Sequence, residues 1–317
     1  MSMKIKPQLT MQCSANKIAF IFAHRPTDVW NTPLSVVKEF ESRGWETKIY
    51  SLFDIYDNYV DTNIQRLIDD SKSKEFDPDI ILYMDWGRFD SPLLDSKNIP
   101  GAFWVMESGD DPQNFERNSV KANKFHLVLT PAYDSYLKYQ EMRINSCWWT
   151  HFADSNIHKP YSGFTPFDEL PKVRSTRGSG GSNLMDYLSQ IMPDKFINRN
   201  GLSGMEYGDF LNSGVIVFQQ SRWHEITRRL FEGMACGKLV ITDRLPIQSN
   251  IDELFVENED IVYYDSLGEC ISKINYYLSE EAIEDRQRIS LNGHNKVMNN
   301  HTQIQRVDTI LKKFKEY

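Results

Sequence analysis

Cysteine is scarce in this sequence, and its spacing excludes some kinds of site. The four cysteines, Cys13, Cys147, Cys236 and Cys270, stand far apart in a chain of 317 residues. Structural zinc sites and redox-active dithiols need cysteines at close spacing, so neither is indicated. Isolated thiols are typical of a reducing compartment, and we therefore predict free cysteines and a cytoplasmic location.

Long apolar runs are also lacking. No stretch approaches the ~20 apolar residues that a membrane-spanning helix needs. The first residues, MSMKIKP, lack the apolar segment of a signal peptide. We therefore expect no membrane span. The 13 prolines and 16 glycines are scattered, which excludes a low-complexity tract.

Positive charge is outweighed by negative charge. The chain has 36 lysines and arginines against 44 aspartates and glutamates, a net charge of −8. This balance argues against a strong general affinity for nucleic acid or anionic membranes, although a local basic cleft remains compatible with it. With 40% apolar residues the chain can form sizeable cores, and its length suits two α/β domains.

Short apolar segments alternate with helical patterns in the N-terminal half. Strands are predicted at 18–23, 46–53, 79–84, 101–106 and 126–130, and helices at 32–43 and 63–74. Strands separated by helices are typical of a parallel, doubly wound sheet. Short apolar runs alone do not distinguish buried strands from buried helices, so the number of strands stays open.

A second α/β unit is predicted after a segment rich in proline, glycine and serine at 164–182. It contains a helix at 183–192, a strand at 195–198 and a helix–glycine–strand segment within 221–243. A last helix is predicted at 302–317. It should pack on a core through an apolar stripe of Ile304, Val307, Ile310, Leu311 and Phe314.

The most informative segment is residues 221–243, SRWHEITRRLFEGMACGKLVITD. Helical spacing of Ile226, Leu230 and Met234 predicts a helix, and Gly237 suits its C-terminus. A hydrophobic strand follows at once, which is the context of a nucleotide-binding half domain.

Charged residues of this helix predict a nucleotide site. Glu225 and Glu232 would share one helix face about two turns apart, roughly 10 Å, with Arg228 and Arg229 between them. Arginines at a helix N-terminus suit phosphate, and a glutamate further along could accept bonds from a ribose diol. The alternative is a glutamate–arginine ladder on a solvated face, where each pair contributes a few tenths of a kcal/mol.

The region from 207 to 306 resembles the donor-binding half of the two-domain (GT-B) glycosyltransferases of the group 1 type, most closely the spore-maturation-protein-like subgroup. The resemblance rests on YGDFLNS at 207–213, EITRRLFEGMACG at 225–237 and NHT at 300–302. It implies an α/β fold of two Rossmann-like domains facing across a cleft, with a C-terminal helix returning to the first domain. The implied limits are 1–155 for an acceptor domain, 156–300 for a donor domain and 301–317 for the terminal helix.

The resemblance also implies roles in donor binding. In the family a first glutamate contacts the donor sugar and a second contacts the ribose. Glu232 occupies the second position, whereas the first falls on His224, with Glu225 one residue later. Amides at the helix start, here those of Thr227 and Arg228, hold the pyrophosphate. The predicted donor-binding residues are Arg177, Gly178, Ser221, His224, Glu225, Thr227, Arg228, Arg229 and Glu232.

Residues 177–182, RGSGGS, are a second candidate for phosphate contact. Glycines allow a close approach of the backbone to phosphate, and Arg177 adds charge. A flexible linker is the alternative interpretation of this composition. The resembling family has a glycine-rich loop at this point, which favours the phosphate contact.

Polar residues that follow two of the strands are candidates for the chemistry. Asp110 and Asp111 follow the fourth strand, where one of them could remove the proton of an acceptor hydroxyl. A turn, or Asp111 as a helix cap before Pro112, is the alternative. His24 ends the first strand and could contact the sugar or the acceptor, although a single histidine is more often structural.

No metal site and no cofactor are predicted. Asp77 and Asp79 match a metal-binding pair by spacing, but they precede a buried strand and fit a turn better. Arginines and helix amides would instead offset the diphosphate's charge. One or two tryptophans could stack on an acceptor, although core positions are equally compatible with Trp86, Trp104, Trp148 and Trp149.

The sequence therefore predicts a glycosyltransferase that moves a hexose or pentose from a nucleotide-diphosphate donor, with UDP-sugars favoured, to a hydroxyl acceptor. The acceptor could be a saccharide, a protein, a small molecule or a hydroxymethyl base in phage-type DNA. A DNA acceptor would need a basic rim, for which the candidates are Lys121, Lys124, Arg143 and Lys159. A nucleotide-sugar epimerase and a non-catalytic nucleotide-sugar-binding protein are the alternatives.

Overall fold

The computed structural model describes residues 16–28, 31–84, 88–161, 172–176, 183–221, 223 and 225–317. It contains two separate parallel β-sheets with helices between successive strands, which confirms the predicted α/β class. In the described part of the chain, no helix is both long enough and apolar enough to cross a bilayer.

The first sheet has six parallel strands in the order β2-β1-β3-β4-β5-β6. Its strands are β1 (Lys17–Phe22), β2 (Glu46–Ser51), β3 (Ile80–Met84), β4 (Phe103–Glu107), β5 (Leu127–Thr130) and β6 (Ser146–Trp148). The helices of this unit are α1 (Thr32–Ser42), α2 (Thr62–Ser73), α3 (Phe115–Ala122) and α4 (Tyr133–Glu141). Every residue of β3 and β4 is buried, as expected for parallel strands that are covered on both faces.

The second sheet has five parallel strands in the order β11-β10-β9-β7-β8. Its strands are β7 (Val173–Thr176), β8 (Phe196–Arg199), β9 (Ile216–Gln219), β10 (Leu239–Asp243) and β11 (Val262–Tyr264). The helices of this unit are α5 (Asn183–Ile191), α6 (Gly204–Asn212), α7 (Arg228–Ala235), α8 (Leu267–Leu278) and α9 (Ile283–Asn300). The strand order reverses between β7 and β9.

The last helix, α10 (Gln303–Glu316), packs on the first sheet. Val307 and Ile310 are fully buried in one core with Phe20 of β1 and Phe40 of α1. The helix starts with a capping box, because the Thr302 side chain bonds the backbone of the first turn and Gln305 bonds the backbone of Thr302. Four residues of the predicted apolar stripe, Val307, Ile310, Leu311 and Phe314, therefore face the first unit, whereas Ile304 is exposed. The domain limits given above stay predictions.

Two chain crossovers connect the units, and they are hydrogen-bonded to each other. The Ala153 amide donates to the His301 carbonyl at 3.0 Å, and the Gln303 amide donates to the Ala153 carbonyl at 3.2 Å. Phe152 packs in the core that contains β1, while Ala153 packs in the core that contains α7. The crossover at 152–153 is therefore shared between the two cores.

Arg306 binds these crossovers from inside the protein. Its guanidinium donates to the Thr150 carbonyl at 2.7 Å and to the His151 carbonyl at 3.1 Å, and it also bonds the Thr150 hydroxyl. Burial lowers the pKa of Arg306 to about 10. The side chain nevertheless stays charged at neutral pH, so its bonds to the carbonyls are charge-assisted.

Gly233 allows α7 to lie close to the second sheet. A Cβ atom at this position would lie 2.9 Å from the Cβ of Val217 and 3.1 Å from the Cγ2 of Val240. Gly233→Ala should therefore force backbone shifts and lower the free energy of unfolding by about 1–3 kcal/mol. Thermal and denaturant unfolding of the variant measure the effect.

Gly268 in α8 is the matched control, because nothing lies within 4 Å of a Cβ at that position. Gly268→Ala should leave stability unchanged or raise it by about 0.5–1 kcal/mol. An unfolding midpoint for Gly233→Ala that equals that of the control would contradict the close packing.

Candidate functional site

The most promising ligand position is the carboxyl edge of the second sheet. Ligands of open α/β sheets bind outside the carboxyl ends of strands where the strand order reverses. That point lies between β7, which ends at Thr176, and β9, which ends at Gln219. The candidate site is therefore assembled from these strand ends and from the first turn of α7.

Three of the predicted donor-binding residues, Arg177, Gly178 and His224, lie outside the described residues, as does Trp86. The glycine-rich segment that begins at Arg177 directly follows β7 in sequence. These predictions stay predictions, and the site is described below from the remaining residues.

The helix in the donor segment begins later than its spacing predicted. Thr227 occupies the N-cap with extended backbone (φ −85°, ψ 157°), and α7 starts at Arg228. Glu225 therefore lies in the preceding loop, and the prediction that Glu225 and Glu232 share one helix face is wrong. The end of the helix is confirmed, since Gly237 follows it in the left-handed conformation with φ 71°.

Several polar atoms at the start of α7 are buried with no hydrogen-bond partner in the described structure. They are the Nε of Arg228, the Oγ1 of Thr227 and the Nε2 of Gln219 at the end of β9. Arg229 contacts Gln219, because its Nη1 donates a hydrogen bond to Gln219 Oε1 at 3.3 Å. Buried polar groups are normally bonded, so unbonded donors at the end of β9 and the start of α7 are consistent with a site for an anionic ligand.

Glu232 is buried one turn further along α7, with only 3% of its surface exposed. Its Oε2 accepts a hydrogen bond from the Tyr207 hydroxyl at 2.9 Å. Its Oε1 lies 3.8 Å from Nε2 of His158. Among the ion pairs of the described residues, Glu232 pairs with neither Arg228 nor Arg229, and its burial does not fit a solvated helix face.

Two histidines of the first crossover border this site and are uncharged at neutral pH. Burial, together with the charges of Arg228 and Arg306, lowers the pKa of His151 to about 3. Burial also lowers the pKa of His158, against the opposing charge of Glu232. The positive charge of the site at neutral pH is therefore that of its arginines.

Ser221 and Glu225 belong to the loop that leads to α7. The Ser221 amide donates to Oδ1 of Asp243 at 2.7 Å, and its hydroxyl bonds the other carboxylate oxygen. This pairing ties the loop after β9 to the end of β10. Glu225 is half-buried and lines a crevice between the two units.

This interdomain crevice is lined mainly by apolar side chains from both units. The first unit contributes Pro112, Pro131, Ala132, Tyr133 and Asp134, and the second contributes Trp223, Glu225, Ile226, Pro246, Gln248 and Ser249. One carboxylate, Asp134 or Glu225, stands on each side. Aromatic rings beside carboxylates are suited to a polyhydroxylated ring, which stacks on one and donates to the other.

The two aspartates after β4 have different environments. Asp110 is half-buried, whereas Asp111 is 1% exposed. The Asp111 carboxylate accepts hydrogen bonds from side chains of Ser108, Asn118, Thr130 and Tyr139. Burial raises the pKa of Asp111. This enclosed carboxylate does not suit the role of base that was predicted for Asp110 or Asp111. The alternative role of Asp111 as a helix cap is wrong, because Asn114 occupies the N-cap of α3.

His24 follows β1 at the carboxyl edge of the first sheet. Its side chain is 22% exposed, and its Nδ1 lies 3.7 Å from an Asp28 carboxylate oxygen. Its carbonyl accepts a hydrogen bond from the Ser51 hydroxyl at 2.7 Å, which fixes the backbone after the strand. The location agrees with the edge on which acceptor contacts were predicted, and the contact itself stays a prediction.

The tryptophan and lysine candidates are mostly structural. Trp104 and Trp149 are buried in the first unit, whereas Trp148 is half-buried and packs edge-on against Tyr133 of the interdomain crevice at 4.9 Å. Lys121 is buried and donates to the Phe89 carbonyl at 2.7 Å. The basic rim considered for a DNA acceptor therefore lacks Lys121.

The aspartates before β3 are bonded within the first unit, in an irregular segment between α2 and the strand. Asp77 accepts a hydrogen bond from Ser71 at 2.8 Å, and Asp79 accepts one from the Lys17 amide at 2.8 Å. Over the described part of the chain, no group of three or more histidines, cysteines, aspartates or glutamates is arranged to hold a metal ion.

Comparison with known proteins agrees with this architecture. The chain is similar to a glycosyltransferase from Rickettsia africae, with a TM-score of 0.68 and 14% identity over 96% of this chain and 98% of that one. It is similar to sucrose-phosphate synthase from Thermosynechococcus elongatus, with a TM-score of 0.66 and 11% identity over 95% of this chain and 98% of that one. It is also similar to Anabaena Alr3699/HepE in complex with UDP and glucose, with a TM-score of 0.65 and 11% identity over 95% of this chain and 100% of that one. The fold is thus the two-domain GT-B fold.

A family model assigns the class of enzyme. Residues 177–312 match the family described as glycosyl transferase-like, which covers the second sheet beyond β7 and most of α10. The chain therefore carries a glycosyltransferase domain and is an enzyme of that class. No curated protein matches the chain. The closer resemblance to the spore-maturation-protein-like subgroup stays a prediction.

The buried position of Asp111 gives a testable difference between the two aspartates. Asp111→Ala should leave several buried donors without an acceptor and lower the free energy of unfolding by about 1–3 kcal/mol. Asp110→Asn, at the half-buried neighbouring position, should have a clearly smaller effect. Denaturant unfolding compares the two variants, and equal loss of stability in both would show that Asp111 has no special structural role.

Proposed function

We propose that this glycosyltransferase uses a nucleotide-diphosphate sugar as donor, with UDP-sugars favoured, and transfers a hexose or pentose to a hydroxyl acceptor. The observation that carries the proposal is the set of buried donors at the start of α7, on Thr227, Arg228 and Gln219. It is supported by the Anabaena structure of the same fold, which holds UDP and glucose.

The diphosphate is proposed to lie at the N-terminus of α7. Helix-start amides and the helix dipole favour an anion there. Arg228 and Arg229 supply two positive charges, and the neighbouring histidines add none, since burial lowers their pKa. As the sugar leaves, charge develops on the diphosphate, and these fixed donors would stabilise that charge. A metal ion is not part of the proposal.

The remaining donor contacts follow from the same placement. Glu232 is proposed to accept hydrogen bonds from the ribose hydroxyls, and Glu225, at the interdomain crevice, lies on the side towards the acceptor. Ser221 acts through its bonds to Asp243, which hold the loop before α7. Arg177, Gly178 and His224 complete the proposed set as phosphate and sugar contacts.

The acceptor is proposed to enter through the interdomain crevice, where aromatic and carboxylate side chains suit a saccharide or another polyhydroxylated molecule. Asp110 is the proposed base, and His24 is the alternative. DNA is the less favoured acceptor, because Lys121 is buried and the chain carries a net charge of −8. A cytoplasmic location with free thiols is part of the proposal.

Binding of nucleotide tests the donor site directly. UDP titrated into the protein should bind, and Arg228→Ala should weaken it about tenfold or more, because a charge-assisted bond contributes about 1.5–3 kcal/mol. Arg66→Ala, at an arginine with 63% of its side chain exposed on α2, is the control and should bind like the wild type. If UDP, GDP and ADP all fail to bind in calorimetry, the donor-site assignment is wrong.

Turnover tests the chemistry. Asp110→Asn should lower kcat by ~10²–10⁴-fold, because a general base contributes that much, while UDP affinity stays unchanged. Activity should persist in EDTA. Normal turnover of Asp110→Asn would move the role of base to His24, and loss of activity in EDTA would contradict the metal-free mechanism. Release of an epimerised nucleotide sugar without transfer would identify the epimerase alternative instead.

A further inference from the structure

We propose that Tyr207 and His158 are positioning residues, which hold the Glu232 carboxylate in the orientation that contacts the ribose hydroxyls of the donor. This inference rests on the proposed function, because it assumes a nucleotide at the start of α7. It adds two residues, one from α6 and one from the crossover between the units, to the machinery for donor recognition.

Tyr207 binds the carboxylate from the side of α6. Its ring is 7% exposed, and its hydroxyl donates to Oε2 of Glu232 at 2.9 Å. Burial raises the pKa of Tyr207 well above its usual value, so the phenol stays protonated and remains a donor.

His158 approaches the carboxylate from the crossover. It is fully buried, and its Nδ1 accepts a hydrogen bond from the Asp154 amide at 3.1 Å. An imidazole that accepts at Nδ1 and is uncharged carries its proton on Nε2. That nitrogen lies 3.8 Å from Oε1 of Glu232. The ring also packs edge-on against Tyr207, with centroids 5.8 Å apart.

Together these contacts leave part of the carboxylate available. A carboxylate has about four acceptor positions, and the Tyr207 hydroxyl occupies one of them on Oε2. Two ribose hydroxyls can be bonded by the remaining positions if the side chain is held still. A freely rotating glutamate would lose rotamer entropy on binding. If the two residues position the carboxylate, replacing them should reduce what the ribose hydroxyls contribute to nucleotide affinity. If their role is purely structural, replacing them should affect folding alone.

The test compares UDP with 2′-deoxy-UDP by calorimetry. Wild-type protein should prefer UDP about tenfold, because the missing hydroxyl removes a bond to a carboxylate. Tyr207→Phe should reduce this preference at least threefold. It should weaken 2′-deoxy-UDP less than UDP, because 2′-deoxy-UDP has only the 3′-hydroxyl left to bond Glu232. Tyr263→Phe is the matched control, since Tyr263 is also buried and its hydroxyl has no hydrogen-bond partner in the described structure. The control should keep the full preference.

His158 provides an independent variant if Tyr207→Phe does not fold. His158→Gln keeps an N–H donor and should retain more of the preference for UDP than His158→Ala. Unfolding midpoints are recorded for all variants, so that a loss of stability is separated from a loss of recognition.

The possible failures are distinguishable. If wild-type protein binds neither nucleotide, the proposed function fails, and this inference fails with it. If UDP binds but the wild type does not prefer it over 2′-deoxy-UDP, the diphosphate site stands and the inference is wrong. The inference is also wrong if the Tyr207 and His158 variants weaken both nucleotides equally.

Discussion

The site depends on the hydrogen bonding between the two chain crossovers, which Arg306 holds from inside. A buried guanidinium is costly unless its donors are satisfied, and here they are met by the carbonyls of Thr150 and His151 and by the Thr150 hydroxyl. The first crossover continues to His158, beside Glu232. The placement of the donor helix relative to the first sheet therefore follows from this one arrangement of backbone and arginine.

The same arrangement explains why the histidines beside the site carry no charge. The crossover brings histidines close to Arg228, and burial keeps them neutral by lowering their pKa. The Glu232 carboxylate in the same helix is bonded by Tyr207. The positive charge of Arg228 and Arg229 therefore lies at the start of α7, where it favours the binding of a diphosphate. Fixed donors of this kind need no rearrangement when charge develops on a leaving group.

Much of the fold could be predicted because parallel strands covered on both faces are short, continuous apolar runs. The predicted strand at 79–84 is β3 (Ile80–Met84), and the predicted helix at 183–192 is α5 (Asn183–Ile191). β6, β7, β9 and β11 were not predicted, because each has only three or four residues. These segments become strands because they pair with neighbouring strands, which is an effect of tertiary structure.

The site was predicted less completely, and for the same reason. Helical spacing extended the donor helix back to Ile226, but the loop before it is tied to Asp243, 22 residues from Ser221. In the Gly-Asp-Asp-Pro turn, the sequence does not distinguish the half-buried Asp110 from the buried Asp111. Tyr207 lies within the segment that carried the family resemblance, yet its bond to Glu232 joins residues 25 apart and has no periodic pattern.

The central claim is that a nucleotide diphosphate binds at the start of α7, and a crystal structure of the protein with UDP tests it most directly. The account predicts the diphosphate within hydrogen-bond distance of the Arg228 guanidinium and the amides of Thr227 and Arg228, with the ribose hydroxyls on Glu232. UDP bound elsewhere, or a start of α7 that stays unoccupied at saturating UDP, would contradict the account.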